Sequence, residues 1–172
     1  MNVISAPQIG EYNAYYESYV AFVKGKSISQ VLLSQVQEVK EVFERLGEES
    51  SNNSYAPGKW TGKEVLGHIT DTDRIMAYRA LCIARGEQSA LPGYDENAYA
   101  LNGNFNHISL DSLLNEFELS RHALLAMIKN LPATSYTIIG NANNNPVSVR
   151  ALFYIIAGHT AHHLNILENR YF

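Results

Sequence analysis

Three of the six histidines of this 172-residue chain stand together, in Gly158-His159-Thr160-Ala161-His162-His163-Leu164. If the segment is helical, His159 and His163 project from one face about one turn apart, close enough for two neutral imidazoles to share a divalent ion. At ~100° per residue the same face carries Leu152, Ile155, Ile156, Ile166 and Leu167, so both rings are expected inside the fold. His162 turns toward Ala151, Gly158, Asn165 and Asn169, a less apolar flank, and is expected to be peripheral. A buried imidazole pair without partners pays for desolvation or keeps an unsatisfied nitrogen. A metal relieves both penalties, although hydrogen-bonded core histidines fit the same spacing, and a third ligand is needed to separate the two readings.

His68 is the candidate for that third ligand. Around it at helical spacing come Glu64, Val65, Asp71, Thr72, Ile75, Arg79 and Cys82, a polar strip beside the apolar stripe of Leu66, Ile69, Met76 and Ile83. Such a strip is either solvated surface or the wall of a cavity. His107 precedes a helix cap in a polar loop, and His122 has no histidine at helical spacing. Surface or capping roles are expected for both. Trp60 reads as a packing anchor, and Cys82 as a small buried residue.

Composition narrows the chemistry further. A single cysteine excludes an intrachain disulfide and a cysteine-based metal cluster, so any metal must sit on nitrogen and oxygen. Thirteen basic against seventeen acidic residues give a formal charge of −4. With no Lys/Arg run, nucleic acid is not an expected partner. The apolar-rich run from Ala151 to His162 is broken by Gly158 and His159 and falls short of the ~20 apolar residues of a membrane span. The first ten residues lack the basic and apolar regions of a secretory signal, and a cytoplasmic protein is expected.

The elements that must position these residues are helical, because apolar residues recur at three- and four-residue spacing between few Gly and Pro breaks. Tyr12, Tyr15, Tyr16 and Tyr19 mark a short amphipathic lead-in within residues 1–27. A helix is expected from Ile28 to Leu46, stopping at Gly47. A second runs from a Thr61-Gly62-Lys63-Glu64 capping box to Arg85. The 22 residues from Glu87 to Ile108 are too long for a tight turn and read as a crossover or a functional loop. Ser109 caps a third helix that stops before Pro132, Thr137-Ile138-Ile139 is briefly extended, and Ser148 caps a fourth helix reaching almost to Phe172. Four long helices with one long connection between the second and third form an all-α four-helix bundle of one domain, residues 1–172, with facing helices building a site in its core.

These residues resemble a known family, the DinB-like superfamily, in particular its YfiT-like branch of metal-dependent hydrolases and thiol S-transferases. The resemblance rests on Tyr55-Ala56-Pro57-Gly58-Lys59-Trp60, on Glu64-Val65-Leu66-Gly67-His68 with Asp71, on Leu91-Pro92-Gly93-Tyr94-Asp95-Glu96, and on Ser148-Val149-Arg150-Ala151-Leu152 through His159 to His163-Leu164. It implies a four-helix bundle with a long crossover, and a divalent metal held by His68, His159 and His163. Nickel or zinc are the first expected occupants, iron or manganese the alternatives. Three neutral imidazoles leave the ion its full charge and an open position, the layout of a catalytic site. Asp71 is then a candidate catalytic carboxylate, orienting a ligand imidazole or accepting a proton, with a solvated helix carboxylate as its alternative.

The expected activity is hydrolysis by an activated water, or S-transfer from a low-molecular-weight thiol, on a small-molecule substrate. The competing reading is a non-catalytic, metal-stabilised bundle acting as a dimeric binding or stress-response protein, and behind it a metal-free bundle with buried histidines. The resemblance also implies a homodimer, to which the segment from Tyr12 to Tyr19 is a candidate contributor.

Overall fold

In the computed structural model, which describes residues 3–172, four long helices carry the fold. They are α2 (Ile28–Ser50), α3 (Gly62–Ala84), α5 (Leu110–Asn130) and α6 (Val149–Arg170), with a short α1 (Glu17–Val23) before them and a short α4 (Glu96–Gly103) between α3 and α5. A two-stranded hairpin, β1 (Ile139–Ala142) and β2 (Asn145–Ser148), leads into α6. The fold is the expected all-α bundle, with additions at its connections.

Local chemistry sets the boundaries. The capping box of α3 forms as the sequence predicts: the Glu64 N–H donates to Thr61 Oγ1 at 3.1 Å, and the Thr61 N–H donates to the Glu64 carboxylate at 2.7 Å. Ser109 caps α5 and Ser148 caps α6. Gly47 does not stop α2. It kinks the helix with φ of 78°, and the chain continues helically to Ser50, a conformation that glycine adopts without the steric cost of a Cβ.

The crossover expected between Glu87 and Ile108 is present and is partly helical. Asp95 accepts from the N–H groups of Asn97 and Ala98 and starts α4. Leu91 bridges to the hairpin, its N–H donating to Asn141 O and its carbonyl accepting from Asn143 N–H, each at 2.9 Å. Asn143 and Asn144 turn the hairpin with φ of 51° and 60°, the left-handed pair that a tight two-residue turn requires.

Two apolar clusters fill the core, and on every long helix the border between them falls at a polar residue. Gln35 lies between Leu32 and Val39, Asp73 between Ile69 and Met76, Arg121 between Phe117 and Leu124, and Thr160 between Ala157 and Leu164. A polar layer therefore crosses the bundle. The histidines sit in the same layer.

Candidate metal centre

Two glycines let neighbouring elements press on the helices beside the histidines. A Cβ on Gly158 would stand 1.9 Å from the Tyr19 carbonyl oxygen, so α1 crosses α6 only where glycine leaves room. Tyr19 thereby lays its ring edge-on against His159, with centroids 5.5 Å apart. On α3, a Cβ on Gly67 would stand 2.4 Å from the Phe105 ring, which the crossover delivers. The lead-in is held by Glu11, whose carboxylate accepts from Ser148 Oγ at 2.7 Å and from the Arg150 guanidinium. Arg150 keeps that carboxyl below its usual range.

His68, His159 and His163 converge. His159 Nε2 lies 2.9 Å from His68 Nε2 and 3.0 Å from His163 Nε2, and the three side chains form a buried group able to offer one nitrogen each to a single ion. Burial holds all three imidazoles neutral at pH 7: His68 is pushed down to about 4, His163 to about 3, and His159 well below its ordinary value. His159 Nδ1 is buried with no hydrogen-bond partner. A neutral imidazole has one N–H and one lone pair, so three ring nitrogens at these separations cannot all satisfy one another. Three neutral nitrogen donors facing a common point fit a divalent cation.

The histidines open onto a cavity of about 550 Å³ between α3 and α6. Its two long walls are helical stripes: His68, Thr72, Met76 and Arg79 from α3, and Leu152, Ile155, His159 and His163 from α6. Tyr16, Tyr19 and Trp60 close one side, Tyr94 and Glu96 come from the crossover, and Asn143, Pro146 and Val147 from the hairpin. The polar strip on α3 is thus a cavity wall over part of its length. Trp60 does more than anchor, since its ring packs 4.6 Å from that of His68. Thr72 Oγ1 and Tyr94 Oη are hydrogen-bonded at 2.8 Å, and burial raises the Tyr94 phenol.

Asp71 is not brought to this group. It lines no part of the cavity, and its carboxylate lies 3.9 Å from Arg74, which itself holds Glu116 at 2.6 Å. Burial raises its carboxyl despite Arg74. The reason is angular: Asp71 is three residues from His68 and Thr72 four, and the α3 face turned to the cavity follows His68, Thr72, Met76 and Arg79. His162 lies outside the trio, half-buried beneath Tyr19 with ring centroids 5.2 Å apart. His107 is exposed, and His122 is exposed 3.6 Å from Glu118. Cys82 is half-buried and lines no part of the cavity.

Beside the trio the structure holds an ion pair that the sequence did not announce. Arg121, fully buried, donates to the Asp73 carboxylate from Nε at 2.9 Å, to Gln35 Oε1 at 2.7 Å and to Thr160 Oγ1 at 2.9 Å. Gln35 in turn donates to Ala157 O at 2.7 Å. One knot thus ties α2, α3, α5 and α6. Its signal lay in the periodicity of α5, where Arg121 occupies the buried face four residues after Phe117.

Comparison with known proteins agrees with this architecture. A search of curated proteins finds no match. Among solved structures the chain is similar to YfiT from Bacillus subtilis, described as a probable metal-dependent hydrolase with an unusual four-helix bundle topology, at 16% identity and a TM-score of 0.76 over 95% of this chain and 89% of that one. The model of the DinB superfamily matches residues 32–167, a span that includes His68, His159 and His163, and the chain belongs to that superfamily.

Proposed function

We propose that the protein is a metal-dependent hydrolase in which His68, His159 and His163 hold a divalent ion, nickel or zinc foremost, at the floor of the cavity. The observation that carries this reading is three neutral, buried imidazole nitrogens facing one point with no carboxylate among them. When bound, such an ion acidifies a coordinated water or thiol and polarises a substrate oxygen.

The protein side of the chemistry follows from the residues around the trio. Desolvation keeps the imidazoles unprotonated, so their lone pairs are available at pH 7. Trp60 and Tyr19 pack on the rings of His68 and His159 and fix their planes. Thr72 and Tyr94 own two hydroxyl protons, and their mutual hydrogen bond uses one. The other is free to be donated to a substrate oxygen or leaving group, and the raised phenol keeps it in place at neutral pH. Asp71 is assigned no part in proton transfer, because its carboxylate faces Arg74 outside the cavity.

S-transfer from a small-molecule thiol is the second reading, favoured by one observation. Cys82 lies outside the cavity, so the chain offers no thiol of its own that would compete for the ion. A panel of p-nitrophenyl esters and amides, run beside conjugation of small thiols to a chlorodinitrobenzene, separates the two on protein reconstituted with each metal in turn. Turnover of either panel that requires the metal and disappears in His159→Ala supports an enzyme, and the panel that responds names the chemistry. Turnover indifferent to both metal and His159 would overturn it.

A further inference from the structure

Among the described residues three arginines are buried: Arg79, Arg121 and Arg150. Arg121 is neutralised by Asp73 and Arg150 by Glu11. Arg79, only 4% exposed, has no carboxylate within 4 Å among the described residues. Its Nη2 donates to Pro92 O at 2.6 Å and its Nη1 to Met76 Sδ at 3.4 Å. The first acceptor is neutral and the second is weak, and a guanidinium has five N–H donors. Tyr94 lies to one side, its ring centroid 5.9 Å from the guanidinium carbon, which does not balance a charge. Burying an unpaired cation is costly, yet this one lines the same cavity as the histidines.

We infer that Arg79 is the carboxylate-binding residue of the cavity, and that the natural substrate is an extended monoanion whose carboxylate lies on Arg79 while its reacting group reaches the histidines. This deepens the hydrolase reading and rests on it for the identity of the reacting end. The charge count selects a monoanion: among the described residues Arg79 is the one cationic side chain lining the cavity, no lysine joins it, and the one carboxylate there, Glu96, is exposed at the rim where water screens it. A planar guanidinium with spare N–H groups matches a carboxylate in shape and charge.

The helix sets the length. His68 and Arg79 are eleven residues apart on α3, three turns within about 20°, so they share a face and are separated by roughly 16 Å of helix rise. The guanidinium reaches back as far as the Met76 side chain, one turn nearer His68, and the turns that remain favour an extended acid over one whose reacting bond adjoins its carboxylate. The pull of Pro92 O on Nη2 fixes the guanidinium from behind, so the crossover positions the anion site. The rings of Trp60 and Tyr19 beside the histidines favour an apolar or aromatic body.

The test compares phenylhexanoate with its uncharged amide, by calorimetry on the full-length protein, both metal-loaded and chelator-treated. The acid is expected to bind about tenfold or more tightly than the amide in both forms, the return on a charge-assisted hydrogen bond. Arg79→Met should bind both alike, and Arg79→Lys should fall between. In the unmodified protein the Arg79 Nε–H resonance should shift with the acid and stay with the amide, which decides the matter even if Arg79→Met does not fold. Equal or absent binding of acid and amide, a still resonance, or a preference that vanishes with the metal would overturn the inference. If no metal binds and the Arg79-dependent preference persists, the hydrolase reading fails while the anion site stands.

Discussion

The polar layer of the bundle holds two clusters that share a depth and differ in their chemistry and in their access to the cavity. In the Arg121 knot, cation, carboxylate, amide and hydroxyl pair with one another, leaving Asp73 Oδ1 without a partner, and the cluster lines no part of the cavity. In the histidine trio, three like bases face each other, one ring nitrogen has no partner, and the group opens onto the cavity. Thr160, which accepts from Arg121, is the residue after His159, so the two clusters touch along α6. A buried polar group that its neighbours satisfy contributes to holding the fold. A cluster of like bases that cannot all satisfy one another, and that opens onto a cavity, is built for a ligand that is not part of the chain.

The contrast breaks most sharply at Arg121. Arg121→Ala leaves Asp73 as an uncompensated buried carboxylate and is expected to cost about 3–5 kcal/mol in urea unfolding, whereas Asp73→Leu with Arg121→Met should recover most of the loss. If the single variant costs under about 1 kcal/mol, the knot does not hold the helices.

Acid acts on the other cluster. The folded pKa of His68 and His163 lies below that of an unfolded histidine, so between about pH 6.5 and 4 the unfolded chain binds the extra protons. The metal-free protein should therefore lose stability as pH falls through that window, by up to ~1.4 kcal/mol per pH unit for each such histidine. His163→Leu should flatten the slope with little loss of stability at pH 8, since it replaces one of three buried imidazoles that cannot all satisfy one another by an apolar side chain. A slope unchanged in His163→Leu would place the titration elsewhere.

Next comes the contact that closes the trio. Gly158→Ala forces a methyl group against the Tyr19 backbone and should cost about 1–3 kcal/mol, an overpacking penalty, while moving Tyr19 off His159. Loss of the Tyr19–His159 cross-peak in NMR reads the displacement directly, and a variant as stable as the parent would show that α1 yields.

The smallest effect is expected at Asp71. Asp71→Asn changes a carboxylate that faces Arg74 away from the cavity, and should alter stability within about 0.5 kcal/mol and leave both metal content and turnover unchanged. A large loss of turnover would restore it as a catalytic carboxylate.

Part of the fold and of the site is legible in the amino-acid sequence. Helical spacing puts His159 and His163 on the buried stripe and turns His162 aside, and the capping residues Thr61, Ser109 and Ser148 mark three helix starts. The family resemblance carries His68 into the set. What stays hidden depends on contacts between distant segments. The helix α4 has little amphipathic pattern over eight residues and declares itself only through the Asp95 cap. Asp71 and Thr72 are adjacent in sequence, and which of them meets the cavity is fixed by how α3 turns against α6. Arg79 looks like any residue of a polar strip, because no single sequence shows that its charge meets no carboxylate. The Arg121 knot needs four helices to converge before its members find each other.

Metal content with X-ray absorption on the purified protein addresses the histidine trio most directly. One divalent ion per chain is expected, bound by three imidazole nitrogens with its remaining positions filled by exchangeable solvent, and lost in His159→Leu while the Arg121 knot keeps the variant folded. A protein that retains no stoichiometric ion, an ion saturated by a fourth protein ligand, or full occupancy in His159→Leu would contradict an open three-histidine site.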